Sequence, residues 1–528
     1  MLNKFMPFRF WCQKVLPLVY DDSLSYVELL YKVVDYLNKM GEDYNALADA
    51  FQDLYLYVQN FVDEQVEPLV DAKLEEMVED GELDEIIARL MSVDYVTPDM
   101  YDAVGDGVAD DTTAVQSAFN SGKNVCFMKD KTYRITAPIY IDAQYNSYRS
   151  CFCKTINNTE YYSIIADFAP NTNYPAIFIV NATAYTFYNV SILGRNQNGS
   201  APDNYKFLTI FLLSRNGLEH NADIDFQMIN CNTSNAGVVC DFTGRGCKID
   251  GHVDAGSLSF LKVNWDGDNA NTAYHDDYYG QRAISVTNSR FHAQQSSGSL
   301  IDVQSGYCFG FRFIGNLIDR GYNNFMRVAS DISNWLISDN IIVGERMGAN
   351  GSALMWFGGD VEDLTISNNK FYNGIERQDT SAFKPTNLIQ FGKTNGIHLG
   401  VLIYGNTVNK LWNGNFVVAS DGTTFYGLNV SGNVIGQILG LTAHRGIVRG
   451  SSLVFQKSVV SNNTLNDYTQ ADGQSGNRVH AIYSTSGLDV HYSKVMGNTL
   501  ATNFSYPVAS TGTETITYSI IDLQSYTT

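Results

Sequence analysis

Residues 337–346 read ISDNIIVGER, and residues 366–377 read ISNNKFYNGIER. Around Asn340 the pattern is an apolar residue three positions before (Ile337), a turn residue one before (Asp339) and an apolar residue two after (Ile342). The same template fits Phe313-Gly315-Asn316-Ile318, Ile366-Asn368-Asn369-Phe371, Ile403-Gly405-Asn406-Val408, Val430-Gly432-Asn433-Ile435, Val460-Asn462-Asn463-Leu465 and Val495-Gly497-Asn498-Leu500. Val286-Asn288-Ser289-Phe291 follows it with Ser at the centre. The position before the central residue holds only Gly, Asp or Asn, the residues that tolerate positive φ. Copies recur every 24 to 37 residues.

A repeat of this length matches one turn of a parallel β-solenoid, in which a stack of at least three turns buries the core. The two apolar positions flank a bend and point inward, and the Gly/Asp/Asn position supplies the bend. Stacked turns lie about 4.8 Å apart. Asn316, Asn340, Asn369, Asn406, Asn433, Asn463 and Asn498 are therefore expected to form a structural ladder of side-chain amides, each satisfying its neighbour's buried polar atoms. Residues 180–285 have room for three or four further turns. Leucine-rich repeats also use asparagine ladders, but their Leu-x-x-Leu-x-Leu run is missing.

The 528 residues carry a formal charge of −21, which argues against nucleic acid as a partner. Residues 1–95 hold 20 acidic and 7 basic residues against 36 and 28 in the remainder, so the front is expected to be built differently. No C-x-x-C pair occurs among the 8 cysteines, and no metal site or cofactor is expected. Buried, reduced thiols are. No apolar run is long enough for a membrane span. The opening MLNKFMPFRFWCQKVLPLVY is interrupted by Gln13 and Lys14 and is read as a mature segment rather than a signal peptide.

Leu30, Leu37, Tyr44, Phe51 and Val58, with Val33, Met40, Leu47, Leu54 and Phe61, form a heptad seam. It predicts a helical coiled coil over about 24–65 that ends near Pro68, followed by a short acidic helix over about 71–91. GDGVADDTTAVQ (105–116) lacks the lysine of a phosphate loop and the closing Glu of a Ca²⁺ loop. It is read as a helix start, with Thr113-x-x-Gln116 as a capping box.

Residues 105–135, GDGVADDTTAVQSAFNSGKNVCFMKDKTYRI, resemble the opening segment of pectate-lyase-like right-handed β-helix proteins, with FMKDKTY in place of the usual Pro-x-Gly before Thr-Tyr. Such domains recur in bacteriophage tailspikes and appendages. The front, PFRFWCQKVLPLVYDDSLSYVELLYKVVDYLN (7–38), resembles N-terminal pieces of tail and appendage proteins in phages of Gram-positive hosts. The resemblance implies a mainly β, right-handed parallel β-helix. The expected divisions are 1–95, helical, for virion attachment and oligomerisation; 96–185, a leading cap region; 186–510, the β-helix; and 511–528, a C-terminal strand or tail. It also implies a homotrimer, contacts with other tail or neck proteins through the front segment, synthesis in the host cytoplasm, and a place in the virion.

Three ladder positions are followed by acid–arginine pairs, Asp319-Arg320, Glu345-Arg346 and Glu376-Arg377, and Asn406 by Trp412. In register they would form one outer column. That column is either a salt-bridge ladder on the surface or a saccharide groove, with Trp412 stacking on a sugar, Arg320, Arg346 and Arg377 holding acidic groups, and Glu345, Glu376 and Asp319 as candidate catalytic carboxylates. A second candidate is WDGDNANTAYHDDYYGQR (265–282), an expected loop that concentrates Tyr274, His275, Asp276, Asp277, Tyr278 and Tyr279. The catalytic signatures of polygalacturonases and pectate lyases do not occur, so the resemblance carries a fold without an activity. The functional expectation is recognition of host cell-surface polysaccharide during attachment. The alternatives are depolymerisation of that glycan and a purely structural appendage.

Overall fold

The computed structural model describes residues 95–521 except 147, 154–161, 169–175, 183, 195–208, 214–224, 243–245, 264–283, 293–297, 305–306, 320–323, 344–352, 373–386, 413–414, 442–444, 471–478 and 501–507, together with nine positions between Asp35 and Leu56. The chain divides into two units, Met1–Val93 and Asp94–Thr528. In the first, the nine described residues are helical and exposed. The heptad seam and the acidic helix over 71–91 lie outside the described residues.

The second unit is a parallel β-helix. One coil shows the path. Tyr307–Phe309 and Arg312–Ile314 lie in a 21-stranded sheet (sheet 1), Leu317–Asp319 in a 14-stranded sheet (sheet 2) and Asn324–Val328 in a 13-stranded sheet (sheet 3). Asp331–Ser338 then returns to sheet 1 and pairs in parallel with the strands one coil back. The connections from sheet 1 to sheet 2 need only one bend, and the strands on either side are three to eight residues long, so each coil keeps its register while the segment joining sheets 2 and 3 varies in length.

The bend into sheet 2 has positive φ in eleven successive coils, at Asn189, Asn230, Gly251, Asn288, Gly315, Asp339, Asn368, Gly405, Gly432, Asn462 and Gly497. The next residue turns inward and is buried, and the residues three before and two after it face the interior, apolar except for Thr233 and Asp254. Within the seven-asparagine column the five inner amides repeat one arrangement. Asn369 Nδ2 donates to Ile337 O at 2.9 Å and to Asn406 Oδ1 at 3.0 Å, while its Oδ1 accepts the Asn340 backbone N–H at 3.1 Å and Asn340 Nδ2 at 2.9 Å. The column runs unbroken from Asn316 to Asn498 and is preceded by Ser289, His252 and Cys231. Four coils occupy residues 176–292: the bend persists there, but the residue after it is Val190, Cys231, His252 or Ser289.

Inside, like side chains stack between coils. Phe178 lies parallel to Phe211 at 5.4 Å, Phe357 to Phe391 at 5.8 Å and Phe425 to Phe455 at 5.6 Å. The seven described cysteines are buried and outside any disulfide. Among the described residues no helix is long and apolar enough to cross a membrane.

The paired strands extend beyond 186–510. Residues 96–185 contribute strands to all three sheets, and Glu514–Thr517 and Ile520–Ile521 pair with Leu488–His491 and Lys494–Met496. The helix Thr112–Asn120 lies against the first coils, its Phe119 ring 5.9 Å from Phe178 and 6.1 Å from Tyr185. Its cap differs from the capping box expected at Thr113 and Gln116. Asp111 is the N-cap residue, and its carboxylate accepts the N–H groups of Val104 and Gly105. Gln116 instead bonds both backbone groups of Tyr140. The tertiary partner competes successfully for the Gln116 amide because it satisfies two strand-edge groups at once.

Replacing Asn369 with Ala should take the Asn369 partner from the Asn340 N–H and from Ile337 O in the interior, and leave the Asn340 amide bonded to Phe313 O alone. We expect a loss of about 3 kcal/mol, given about 1–3 kcal/mol for each buried unsatisfied group, read as a lower urea midpoint relative to the parent chain.

Candidate functional site

Asp319 closes the strand Leu317–Asp319 in sheet 2, in register with His292 one coil back and Val343 one coil on; Val343 in turn pairs with Tyr372. Its Oδ2 lies 3.4 Å from His292 Nδ1 and 3.7 Å from Arg290 Nη2, both on the preceding coil. Glu345 follows Val343 by two residues and Glu376 follows Tyr372 by four, beyond the last paired positions of their strands. Glu345, Glu376, Arg320, Arg346, Arg377, Tyr274, His275, Asp276, Asp277, Tyr278 and Tyr279 lie outside the described residues. The backbone of Trp412 ends the strand Thr407–Trp412, paired with Leu439; its side chain is likewise outside the description.

The described chain brings a different set together, at the corner where sheet 3 passes into sheet 1. Trp356 faces outward from the strand Ala353–Phe357, between Arg327 and Gln390 of the adjoining coils. Its indole lies against the backbone at Gly358 and Gly392, where a Cβ on either residue would overlap the ring. The two glycines open a shelf for the indole, and the shelf holds it flat against the corner.

Immediately past Trp356 in space come three charged residues, one from each of three successive coils. Lys393 Nζ lies 2.5 Å from Asp360 Oδ2 and 3.6 Å from Asp331 Oδ1. The backbone fixes both acids: Asp331 Oδ1 accepts the Asp360 N–H at 2.7 Å, and Asp360 Oδ1 accepts the Ile397 N–H at 2.9 Å. All three side chains are about two-fifths exposed, at 38–42%, so they are oriented yet open to solvent. Burial alone would raise the Asp360 carboxyl; the hydrogen bonds from Lys393 and Ile397 outweigh it and hold the group below the usual carboxylate range. Burial works against the Lys393 charge, but Asp360 and Asp331 keep its pKa above the ordinary value. Asp360 is thus a fixed acceptor at neutral pH. It lacks the raised pKa a general acid needs, and the arrangement suits recognition better than proton donation.

Behind this triad His398 is buried between Phe391, at 4.7 Å, and Phe425, at 5.3 Å. Neither ring nitrogen has a partner, and burial pushes its pKa down to about 4 against the pull of Asp360. The imidazole is neutral at pH 7. A second histidine, His252, lies in a wholly buried network: the Thr233 hydroxyl donates to Asp254 Oδ1 at 2.8 Å, Ser257 donates to the same oxygen at 2.7 Å, and His252 Nε2 is 2.9 Å from Thr233 Oγ1. Burial pushes the His252 pKa down to about 3, so this imidazole is neutral at pH 7. That network replaces apolar packing at two inward positions and presents nothing to solvent. Among the described residues, no group of three or more His, Cys, Asp or Glu is placed to hold a metal ion.

The corner lies off the asparagine repeat. Its signal is a second repeat, Phe357-Gly358 and Phe391-Gly392, each followed within two residues by a charge, Asp360 or Lys393.

No family model matches the chain. It is 30% identical over 113 residues to the pre-neck appendage protein of Bacillus phage phi29, covering 21% of this chain and 13% of that protein. The pre-neck appendage protein of Bacillus phage B103 is 27% identical over the same span and shares. A capsule K30/K69-specific depolymerase of Klebsiella phage K64-1 is 24% identical over 249 residues, 43% of this chain and 30% of the relative. The matches therefore span under a third of each relative's length. Among solved structures, the DFA-IIIase of Arthrobacter chlorophenolicus A6 aligns over 78% of this chain and 94% of its own, at 14% identity and a TM-score of 0.42.

The buried imidazole gives a pH test. His398 titrates near its ordinary value when unfolded and near 4 when folded, so the unfolded chain binds the extra proton between those values. Stability should fall as pH drops from about 6.5 to 4, by up to about 1.4 kcal/mol per pH unit from this group. His398→Phe, which fits between two phenylalanines, should unfold at an equal or higher urea concentration at pH 7 and lose less stability at pH 5.

Proposed function

We propose that this bacteriophage tail appendage protein, virion-associated as its phage relatives indicate, binds a polysaccharide of the host surface along the outside of its β-helix. The observation that carries the reading is the alignment of Arg327, Trp356 and Gln390 on successive coils beside the Asp331–Lys393–Asp360 cluster. An indole face accepts the C–H side of a pyranose ring, while Gln390, Arg327 and the fixed charges of the corner bond its hydroxyls or acidic groups. Coils spaced about 4.8 Å apart present these contacts at intervals close to one sugar residue. In this reading residues 1–95 attach the chain to other tail or neck proteins and bring three chains together through the heptad seam, and the β-helix coils in the right-handed sense that parallel crossovers take.

A depolymerase is the second reading, favoured by the depolymerase among the relatives. It would use Glu345, Glu376 and Asp319 as its carboxylates. The fixed negative charge of Asp360 supports binding over cleavage at the Trp356 corner.

Purified full-length protein incubated with host surface polysaccharide should bind saturably without producing new reducing ends or absorbance near 235 nm from unsaturated sugars, a wavelength expected of roughly any unsaturated uronate product. Trp356→Ala should weaken binding about tenfold, the equivalent of about 1.4 kcal/mol, with an unchanged thermal midpoint. Cleavage that disappears in Glu345→Gln or Glu376→Gln would instead establish the depolymerase; binding indifferent to Trp356→Ala would move the site elsewhere.

A further inference from the structure

From Gly310 onward sheet 1 bends a second time within each coil, and this bend has its own left-handed column: Gly310, Asn334, Asp363, Gly400, Gly427, Lys457, Tyr492 and Tyr518. Five coils place there the residues that tolerate positive φ. The last three place a lysine and two tyrosines, with φ of 51°, 51° and 50°, a conformation in which the Cβ of a bulky residue crowds the following carbonyl. The cost is not offset by burial, since Tyr492 is 62% and Tyr518 79% exposed.

The interior changes in step. The residue after the bend is apolar in the earlier coils (Phe311, Trp335, Leu364, Val401, Leu428) and serine in the last three (Ser458, Ser493, Ser519). Ser458 Oγ accepts the Leu428 N–H, Ser493 Oγ that of Ser458, and Ser519 Oγ that of Ser493, at 3.0–3.2 Å. Each hydroxyl also donates to the carbonyl two residues before it, Gln456, His491 or Thr517, across the bend. The serines clamp the turn that holds the unfavourable residues outward. Held in this way, the two tyrosine rings stack with centroids 5.2 Å apart and planes 8° from parallel. Lys457 precedes them in the column, and Lys494 is exposed two residues after Tyr492. The nearby acids are Asp489, one outward position before His491, and Glu514, which accepts the Ser510 N–H.

We propose that Tyr492 and Tyr518, with Lys457 and Lys494, form a second saccharide subsite, specific for a sugar bearing an anionic substituent, a carboxylate or a phosphate. Sugar rings contact the tyrosines through their C–H faces, and the lysines supply the countercharge in a chain whose net charge is −21. Strained, exposed and internally braced side chains are what a fold retains for a ligand and has no reason to retain for itself. This subsite rests on the polysaccharide-binding reading but lies many coils from Trp356, so the two can fail separately.

The test is isothermal titration of the full chain with three oligosaccharide probes: oligogalacturonate for the carboxylate, a phosphorylated mannan fragment for the phosphate, and isomalto-oligosaccharide as the neutral one. One acidic probe should bind saturably, more weakly at high salt, and at least tenfold more tightly than the neutral probe. The double variant Tyr492→Asn, Tyr518→Asn should weaken that binding at least tenfold while its thermal midpoint stays level or rises, because asparagine accepts the left-handed bend. A structural pair of tyrosines would give the reverse, a lower midpoint with binding intact. No binding of either acidic probe, or binding unchanged in the double variant, overturns this subsite. Loss of host-polysaccharide binding in Trp356→Ala alone would leave the general reading standing, and a wild-type chain that binds no host polysaccharide would remove the general reading itself.

Discussion

A ladder asparagine inside the column answers two buried backbone groups and one neighbouring side-chain amide at once. Its amide nitrogen reaches back to a carbonyl one coil below, and its oxygen takes a backbone N–H and an amide from the coil adjoining it, as Asn369 does with Ile337 and Asn340. A parallel solenoid must turn its chain sharply inside a stack where water cannot reach the turn. Buried polar groups left open there cost more than the bend can recover from packing. The asparagine column solves that problem seven times in succession, and the strand register of all three sheets follows from it.

Register, once set on one bend, is inherited by everything outside. An outward residue has a neighbour about one coil spacing above and below, so columns of side chains become continuous surfaces. Arg327, Trp356 and Gln390 acquire their alignment in this way, and so do Tyr492 and Tyr518. The charged corner adds a second constraint: Asp331 and Asp360 each accept a backbone N–H as well as pairing with Lys393, which fixes the carboxylates before any ligand arrives. Pre-organised charge of this kind serves orientation and selectivity more than raw affinity.

The polar ladders also show where the fold tolerates variation. Ser289, His252 and Cys231 continue the asparagine column with poorer hydrogen bonding, and the neighbouring inward positions then carry Thr233 and Asp254, which satisfy one another. On the other bend, serines appear only where the exterior residue disfavours the turn. Interior polarity in this protein follows the needs of the backbone, and exterior chemistry is laid over it.

The eight copies of the template, their inward apolar pairs and their positive-φ residues were all legible in the sequence, because a bend and its flanking residues are local and recur at every coil. The four coils of 176–292 were only partly legible, since the residue after the bend is Val190, Cys231, His252 or Ser289 in place of the asparagine of the later coils. The Trp356 corner was not legible in the same way. Its members span residues 327 to 393 and meet only when successive coils are stacked, and the offset between them depends on the variable segments joining sheets 2 and 3. The residues beside Asp319 are set in the same way, His292 on one coil and Val343 on the next. Sequence alone determined that this chain coils and where it bends, since those follow from side chains acting on their own backbone. Which side chains share a surface was decided by the tertiary stack, because lateral neighbours are set by hydrogen-bond register between coils and not by distance along the chain.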